Sequence, residues 1–224
     1  MHTQKCKVCG KEFNTNNKDY ECCNRECAGI SRRTPIYGRG INDYNGNVKI
    51  NNKHINSYKV WRSMFNRCYA KNDSPHIRAY KDVEVCEEWW SYSIFLEWYN
   101  EHYIEGNVLD KDICQITQNK MYCPQNCAFI PKSLNNLISL GGVKSKLPRG
   151  IKHYDNNERF NVTICKFKNR MVVGNYNTLY EAKRAYKSAK ESYIKEVAQK
   201  YYNTGKIEKK VYDSLMNWKI NIDD

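Results

Sequence analysis

The chain has 224 residues, 41% hydrophobic and 27% charged, a globular balance with room for one large domain or two to three small ones. No run approaches the roughly 20 apolar residues of a membrane span, and no hydrophobic stretch follows Met1 as in a signal peptide, so neither a membrane nor a secreted protein is expected. The net charge of +13 is uneven: residues 1–40 carry +4, residues 41–140 zero and residues 141–224 +9. Basic ends around a neutral centre fit modules that grip a polyanion, with the acids of the centre kept for another task. Eleven cysteines without an export signal point to a reducing, cytoplasmic setting and to metal binding rather than disulfides.

Residues 6–27 read CKVCGKEFNTNNKDYECCNREC. Cys6 and Cys9, with Gly10 behind them, have the spacing of a zinc knuckle. A second pair follows a loop of about a dozen residues, either Cys23 and Cys27 or Cys22 and Cys27. Cys23 is preferred, because CNREC sets its two cysteines about one helical turn apart. Four thiolates would close a structural Zn²⁺ site. The expected zinc ribbon spans residues 1–35; TPIYGRGINDYNGN (34–47) looks irregular and Gly-containing, and residues 36–56 read as a linker.

From Ser57, SYKVWRSMFNRCY places Val60, Met64 and Cys68 on one helical stripe with Trp61 and Phe65 beside it. DVEVC reads as a short strand. EEWWSYSIFLEWYNEHY reads as a second amphipathic helix with Trp90, Ile94, Phe95 and Trp98 inward. NVLDKDI then has strand character up to Asp110, and YCPQNCAFIP gives a turn and a return strand over Cys127–Ile130. PKSLNNLI opens a helix at Pro131 with Leu134 and Leu137 on one side. The predicted order is strand, loop, strand, helix. Cys114, Cys123 and Cys127 read as buried or half-buried thiols.

These residues resemble the HNH (ββα-metal, His-Me finger) nucleases, and more narrowly a phage and homing-endonuclease branch. The resemblance covers roughly residues 57–140 and is carried by VWRSMFNRCY, VCEEW, LDKDI and YCPQNC. It implies a DNA endonuclease dependent on Mg²⁺ or Mn²⁺. Asp110 would be the first metal ligand, Asn126 the residue that brances the loop, and Asn135 the helix ligand, with Asn136 as the alternative. The chain departs from the family at Lys111, where a histidine base is usual. Lys111 would then act as a point charge on the phosphate, and Asp112 would point to the other face of a straight strand. A base would come from His102, His76 or metal-bound hydroxide.

Residues 147–201 give three short strands (RGIKHY, RFNVTICKF, MVVGNY) and a helix. Thr178 and Glu181 have capping-box spacing, and Ala182, Ala185, Tyr186, Ala189 and Tyr193 form the inward stripe. The segment is similar to the ethylene-response-factor (apetala-two) type DNA-binding domain, whose sheet enters the major groove; this implies double-stranded DNA as partner. Alternation turns Phe160, Val162 and Ile164 to the helix and Arg159, Asn161, Thr163 and Cys165 outward. Arg149, Lys152, Lys166, Lys168 and Arg170 complete the expected contacts. Residues 202–224 read as a tail with one short helix.

The expected fold is thus α+β: zinc ribbon (1–35), linker (36–56), nuclease core with helical prelude (57–140), sheet-plus-helix DNA reader (141–201) and tail (202–224), acting as a monomer. Two other classes predict different behaviour. A non-catalytic DNA-binding protein would bind without metal-dependent cleavage. An RNA-binding factor would prefer structured or single-stranded RNA, though the sheet has few outward aromatics for stacking.

Overall fold

The computed structural model describes all residues except 73, 115–119, 140–146, 149, 155–157, 168 and 221–224, and the side chain of His76. The fold is a mixed α+β arrangement of helices and small sheets. It divides into two compact units: Met1–Tyr103 with Gln115–Cys127, and Ile104–Cys114 with Ala128–Asp224. The segment 57–140 is therefore shared between the two units. No helix among the described residues is long and apolar enough to cross a membrane.

The first unit opens with an antiparallel hairpin, β1 (His2–Lys5) and β2 (Glu12–Thr15), and a short helix, α1 (Arg25–Ser31). Asn24 caps α1 by accepting the N–H of Cys27 at 2.8 Å. Residues 36–56, expected as an irregular linker, are docked on their unit. Ile41 donates to Trp90 O (2.7 Å) and accepts from the N–H of Tyr92 (3.0 Å). The carboxylate of Asp43 accepts the Ser93 N–H (2.8 Å) and the hydroxyls of Ser91 (2.6 Å) and Ser93 (2.7 Å). Gly40 is required here, because a Cβ would lie 2.8 Å from the Phe65 ring. A second tight hairpin follows, β3 (Lys49–Ile50) and β4 (Lys53–His54).

The core of this unit is aromatic. α2 (Asn56–Tyr69) packs on α4 (Tyr92–His102), with α3 (Pro75–Arg78), β5 (Glu84–Val85) and a 3-10 turn over Glu87–Trp90 between them. Trp61, Met64, Phe65, Trp89, Tyr92 and Phe95 are fully buried. The inward set differs from the expected one: Trp89 takes the place given to Trp90, and Ile94 is 48% exposed. The reason is a phase reset. The 3-10 turn ends at Ser91, whose hydroxyl caps α4 by accepting the Ile94 N–H at 3.2 Å, so the helical count starts again at Tyr92.

In the second unit, β6 (Asn107–Asp110) begins the chain's central hairpin; β7 (Met121–Tyr122) lies back in the first unit and pairs in parallel with β5. β8 (Ala128–Pro131) then pairs antiparallel with β6, and α5 (Lys132–Ile138) follows directly and packs on both. Three antiparallel strands come next, β9 (Ile151–Tyr154), β10 (Arg159–Lys166) and β11 (Asn169–Tyr176), with β10 central. The 25-residue α6 (Leu179–Asn203) starts at a formed Thr178–Glu181 capping box.

This helix serves two cores. Ala182 and Tyr186 close on Ile151 and Val162 of the sheet. Tyr193, Ile194, Val197 and Ala198, further along, join Ala128, Ile130, Leu134 and Ile138 of the β6–β8–α5 segment. α7 (Lys209–Met216) completes that second core with Val211 and Leu215, flanked by Ile207 and Ile220, all buried. The stretch 207–220 is thus part of the packed core through these four side chains, because the amphipathic α7 packs along α6.

Candidate functional site

Three places carry chemistry. The first is the four-cysteine cluster. The Sγ atoms of Cys6, Cys9, Cys23 and Cys27 all lie within 4.8 Å of one another, a group that can hold a metal ion. Cys9 and Cys23 are 3.5 Å apart and Cys23 and Cys27 3.7 Å, close to the roughly 3.8 Å edge of a tetrahedron with 2.3 Å zinc–sulfur bonds. Cys23 belongs to the group and Cys22 does not. The backbone N–H of Cys9, with those of Cys23 and Val8, pulls the Cys6 thiol down to about 5, while burial pushes Cys27 up to about 12. A sulfur ringed by backbone donors is the environment of a metal-bound thiolate.

The second place is the end of β6. Asp110 is half-buried, and its Oδ1 accepts the N–H groups of Asp112 (3.0 Å) and Ile113 (2.9 Å). This closes a tight turn as the strand stops, so Asp112 is carried round the turn rather than lying on a straight strand. Burial raises the Asp110 carboxyl above the usual carboxylate range, against the pull of those two N–H groups. Oδ2 accepts no hydrogen bond from the described residues. Lys111 is only 9% exposed and ion-pairs with Asp112.

Asn135 and Asn136 lie on α5, which packs beside β6. Asn135 is half-buried, with its Oδ1 3.4 Å from the Ser139 hydroxyl, and Asn136 is exposed. Asn126 sits in the first unit, 1% exposed, and its amide donates to Met121 O at 3.3 Å, holding the 121–127 loop. The His102 ring lies tilted against that of Trp98, with centroids 4.9 Å apart, and its Nε2 is 3.8 Å from Glu101. Cys114, Cys123 and Cys127 are buried, Cys114 in one unit and the other two in the other.

The third place is the outer face of the three-stranded sheet. The register sets Arg159 opposite Tyr154 and Asn161 opposite both Lys152 and Asn175, so these side chains share one face. Arg159, Lys152 and Arg170 are exposed, and the Asn161 amide donates to Asn175 at 2.9 Å. Two expected contacts are placed elsewhere. Thr163 is 8% exposed, because a bulge after Val162 and the Gly150 carbonyl, which accepts the Thr163 N–H at 2.8 Å, cover it. Lys166 faces α6, ion-paired to Glu196 and 5.5 Å above the Tyr193 ring. Arg149 and Lys168 lie outside the described residues.

The chain matches no family model, no curated protein and no solved structure. Its chemistry therefore rests on its own residues. Sequence reasoning missed Asp43 as the helix-capping carboxylate and Glu196 as the partner of Lys166. Only the position of Lys166, in step with Phe160, Val162 and Ile164 along the strand, signalled that it would turn inward.

Proposed function

We propose that the chain is a divalent-cation-dependent endonuclease of the HNH type acting on double-stranded DNA, with a structural zinc at Cys6, Cys9, Cys23 and Cys27. The observation that supports cleavage is the Asp110 arrangement: an antiparallel strand pair leads straight into a helix, and the first strand ends in a half-buried carboxylate. Backbone N–H groups fix one oxygen of that carboxylate, and no described residue hydrogen-bonds to the other.

The donor set fits a hard ion. One carboxylate oxygen and an amide oxygen from Asn135, with Asn136 as the alternative, suit Mg²⁺ or Mn²⁺ retaining most of its waters. Such an ion supplies charge neutralisation at the scissile phosphate and acidifies a bound water. Asp110 would hold such an ion; the N–H groups of Asp112 and Ile113 fix Asp110, and Asn126 braces the 121–127 loop. Lys111 ion-pairs with Asp112, so it would balance local charge rather than take a proton. The sheet face bearing Lys152, Arg159, Asn161 and Arg170 would hold the DNA in its major groove.

A second reading, a DNA-binding protein that does not cut, is favoured by one observation. The residue beside the metal aspartate is a buried, ion-paired lysine rather than a base. Incubation of supercoiled plasmid with Mg²⁺ or Mn²⁺, comparing the native chain with Asp110→Asn, separates the two. Nicking that depends on Asp110 supports the nuclease; binding without nicking supports the second reading.

A further inference from the structure

The zero net charge of residues 41–140 conceals a strong polarity within the chain. Residues 36–81 hold nine Lys and Arg against two Asp and Glu, whereas residues 82–114 hold nine acids against one lysine. One of the two acids in the basic stretch, Asp43, is already bound to Ser91 and Ser93. The basic stretch contains the turn 36–40 and the outer row of α2.

Arg39 is the most specifically built element there. The turn is closed by hydrogen bonds from Arg39 N–H and Gly40 N–H to Ile36 O, both 3.1 Å, and Gly40 lets it press against Phe65. The exposed guanidinium of Arg39 lies 4.7 Å from the Tyr69 ring centroid and 5.3 Å from that of Trp90. It has no hydrogen-bond acceptor or carboxylate partner among the described residues. Two aromatic faces thus hold a planar cation in place, with its N–H donors unused among the described residues.

The same face continues along α2. Lys59, Arg62 and Asn66 are exposed at helical spacing, opposite the buried Trp61, Met64 and Phe65. Arg62 rests on Tyr58 (5.9 Å) and within 3.3 Å of His54, and Asn66 accepts the Tyr37 hydroxyl at 2.6 Å. Lys59 and Arg62 have no carboxylate partner among the described residues. From Lys59 to Tyr69, the row is roughly 15 Å long at 1.5 Å per residue, facing about four phosphates of one strand.

We propose that Arg39, Lys59 and Arg62 form a phosphate-binding strip for the backbone of duplex DNA, a contact additional to the sheet face. The strip suits backbone rather than bases: the guanidinium occupies the Tyr69 and Trp90 faces on which a base would stack. It supplies affinity without sequence preference, since its cations meet phosphates only. The inference rests on the reading of the chain as a DNA-binding protein, not on cleavage.

The test is binding of a labelled duplex to the full chain, by fluorescence anisotropy across a salt series, for the native protein, Lys59→Ala/Arg62→Ala, Arg39→Gln and Arg39→Lys. Each lost phosphate contact should lower the slope of log K against log salt by about 0.9. The double variant should therefore lose up to about 1.8, Arg39→Gln about 0.9, and Arg39→Lys should keep the slope because it keeps the charge. Lys59 and Arg62 are exposed, so the double variant tests the strip even if Arg39→Gln disturbs the turn. Native slopes in Lys59→Ala/Arg62→Ala and Arg39→Gln would overturn the strip while leaving DNA binding and cleavage standing. No duplex binding by the native chain would overturn both the strip and the DNA-binding reading.

Discussion

Removing the metal from the four-cysteine module should unfold residues 2–31 while the rest of the chain stays folded. The magnitude follows from what else holds this module together. Among residues 1–31 only Cys6, Thr15 and Cys27 are buried, so no large apolar side chain forms a core. Two four-residue strands and a seven-residue helix are each too short to be stable alone in water. Structural zinc in small finger peptides is worth roughly 10–16 kcal/mol at neutral pH, which corresponds to amide openings rarer than about one in ten million. The amides to follow are those of Cys6, Lys7 and Gly10, whose N–H groups bond to Lys11, Glu21 and Cys6 carbonyls at 2.9 Å. Hydrogen exchange read by mass spectrometry should show these amides protected in the zinc-loaded chain and near intrinsic rates after chelation. Cys27→Ser should behave like the chelated protein, whereas Cys22→Ser should keep about one equivalent of zinc. Unchanged protection over residues 2–31 in metal-free protein would refute the reasoning, because nothing else in the module could supply it.

Further outcomes follow from the second unit. Leu215→Ala should destabilise it by roughly 2–5 kcal/mol in urea unfolding, since Leu215 is fully buried; a loss under about 1 kcal/mol would remove α7 from the core. Asp110→Asn keeps the acceptor for the two turn N–H groups and should leave folding intact. Because burial raises the Asp110 carboxyl, its protonated form favours the fold. That contribution is fully present below the ordinary carboxylate pKa and is lost as pH rises through the raised value, so Asp110→Asn should flatten the pH dependence of stability over that window. Mg²⁺ at ten times its Kd should stabilise the native chain by about 1.4 kcal/mol and Asp110→Asn by almost nothing, read as a difference in Tm. Arg159→Ala with Arg170→Ala should lower the salt slope of DNA binding by about 1.8; an unchanged slope would take the sheet face out of the interface.

Local signals were legible in the sequence and long-range ones were not. The spacing within each cysteine pair and the Thr178–Glu181 capping box depend on residues three or four positions apart, and each is present in the fold; the strands and helix around Asp110 were each legible from their own residues, though Asp110 pairs with Ala128 across the intervening loop. The docking of residues 36–56 depends on Asp43 reaching serines about 50 positions away, which no local pattern contains. The Trp89 and Trp90 exchange turned on a 3-10 turn that reset the helical phase at Ser91. Thr163 is covered because of a bulge and a glycine carbonyl, so simple alternation failed there. For the tail, the short helix was legible, but the packing of Ile207, Val211, Leu215 and Ile220 with the far half of α6 is fixed only by tertiary structure.

The central claim concerns what happens at Asp110. With supercoiled plasmid and Mn²⁺ or Mg²⁺, the native chain should produce nicked or linear DNA, and chelation should stop it. Asp110→Asn should be slower by at least about 100-fold with Tm and DNA affinity retained. Undiminished cleavage by Asp110→Asn, or no cleavage by a native chain that binds the plasmid, would contradict the account.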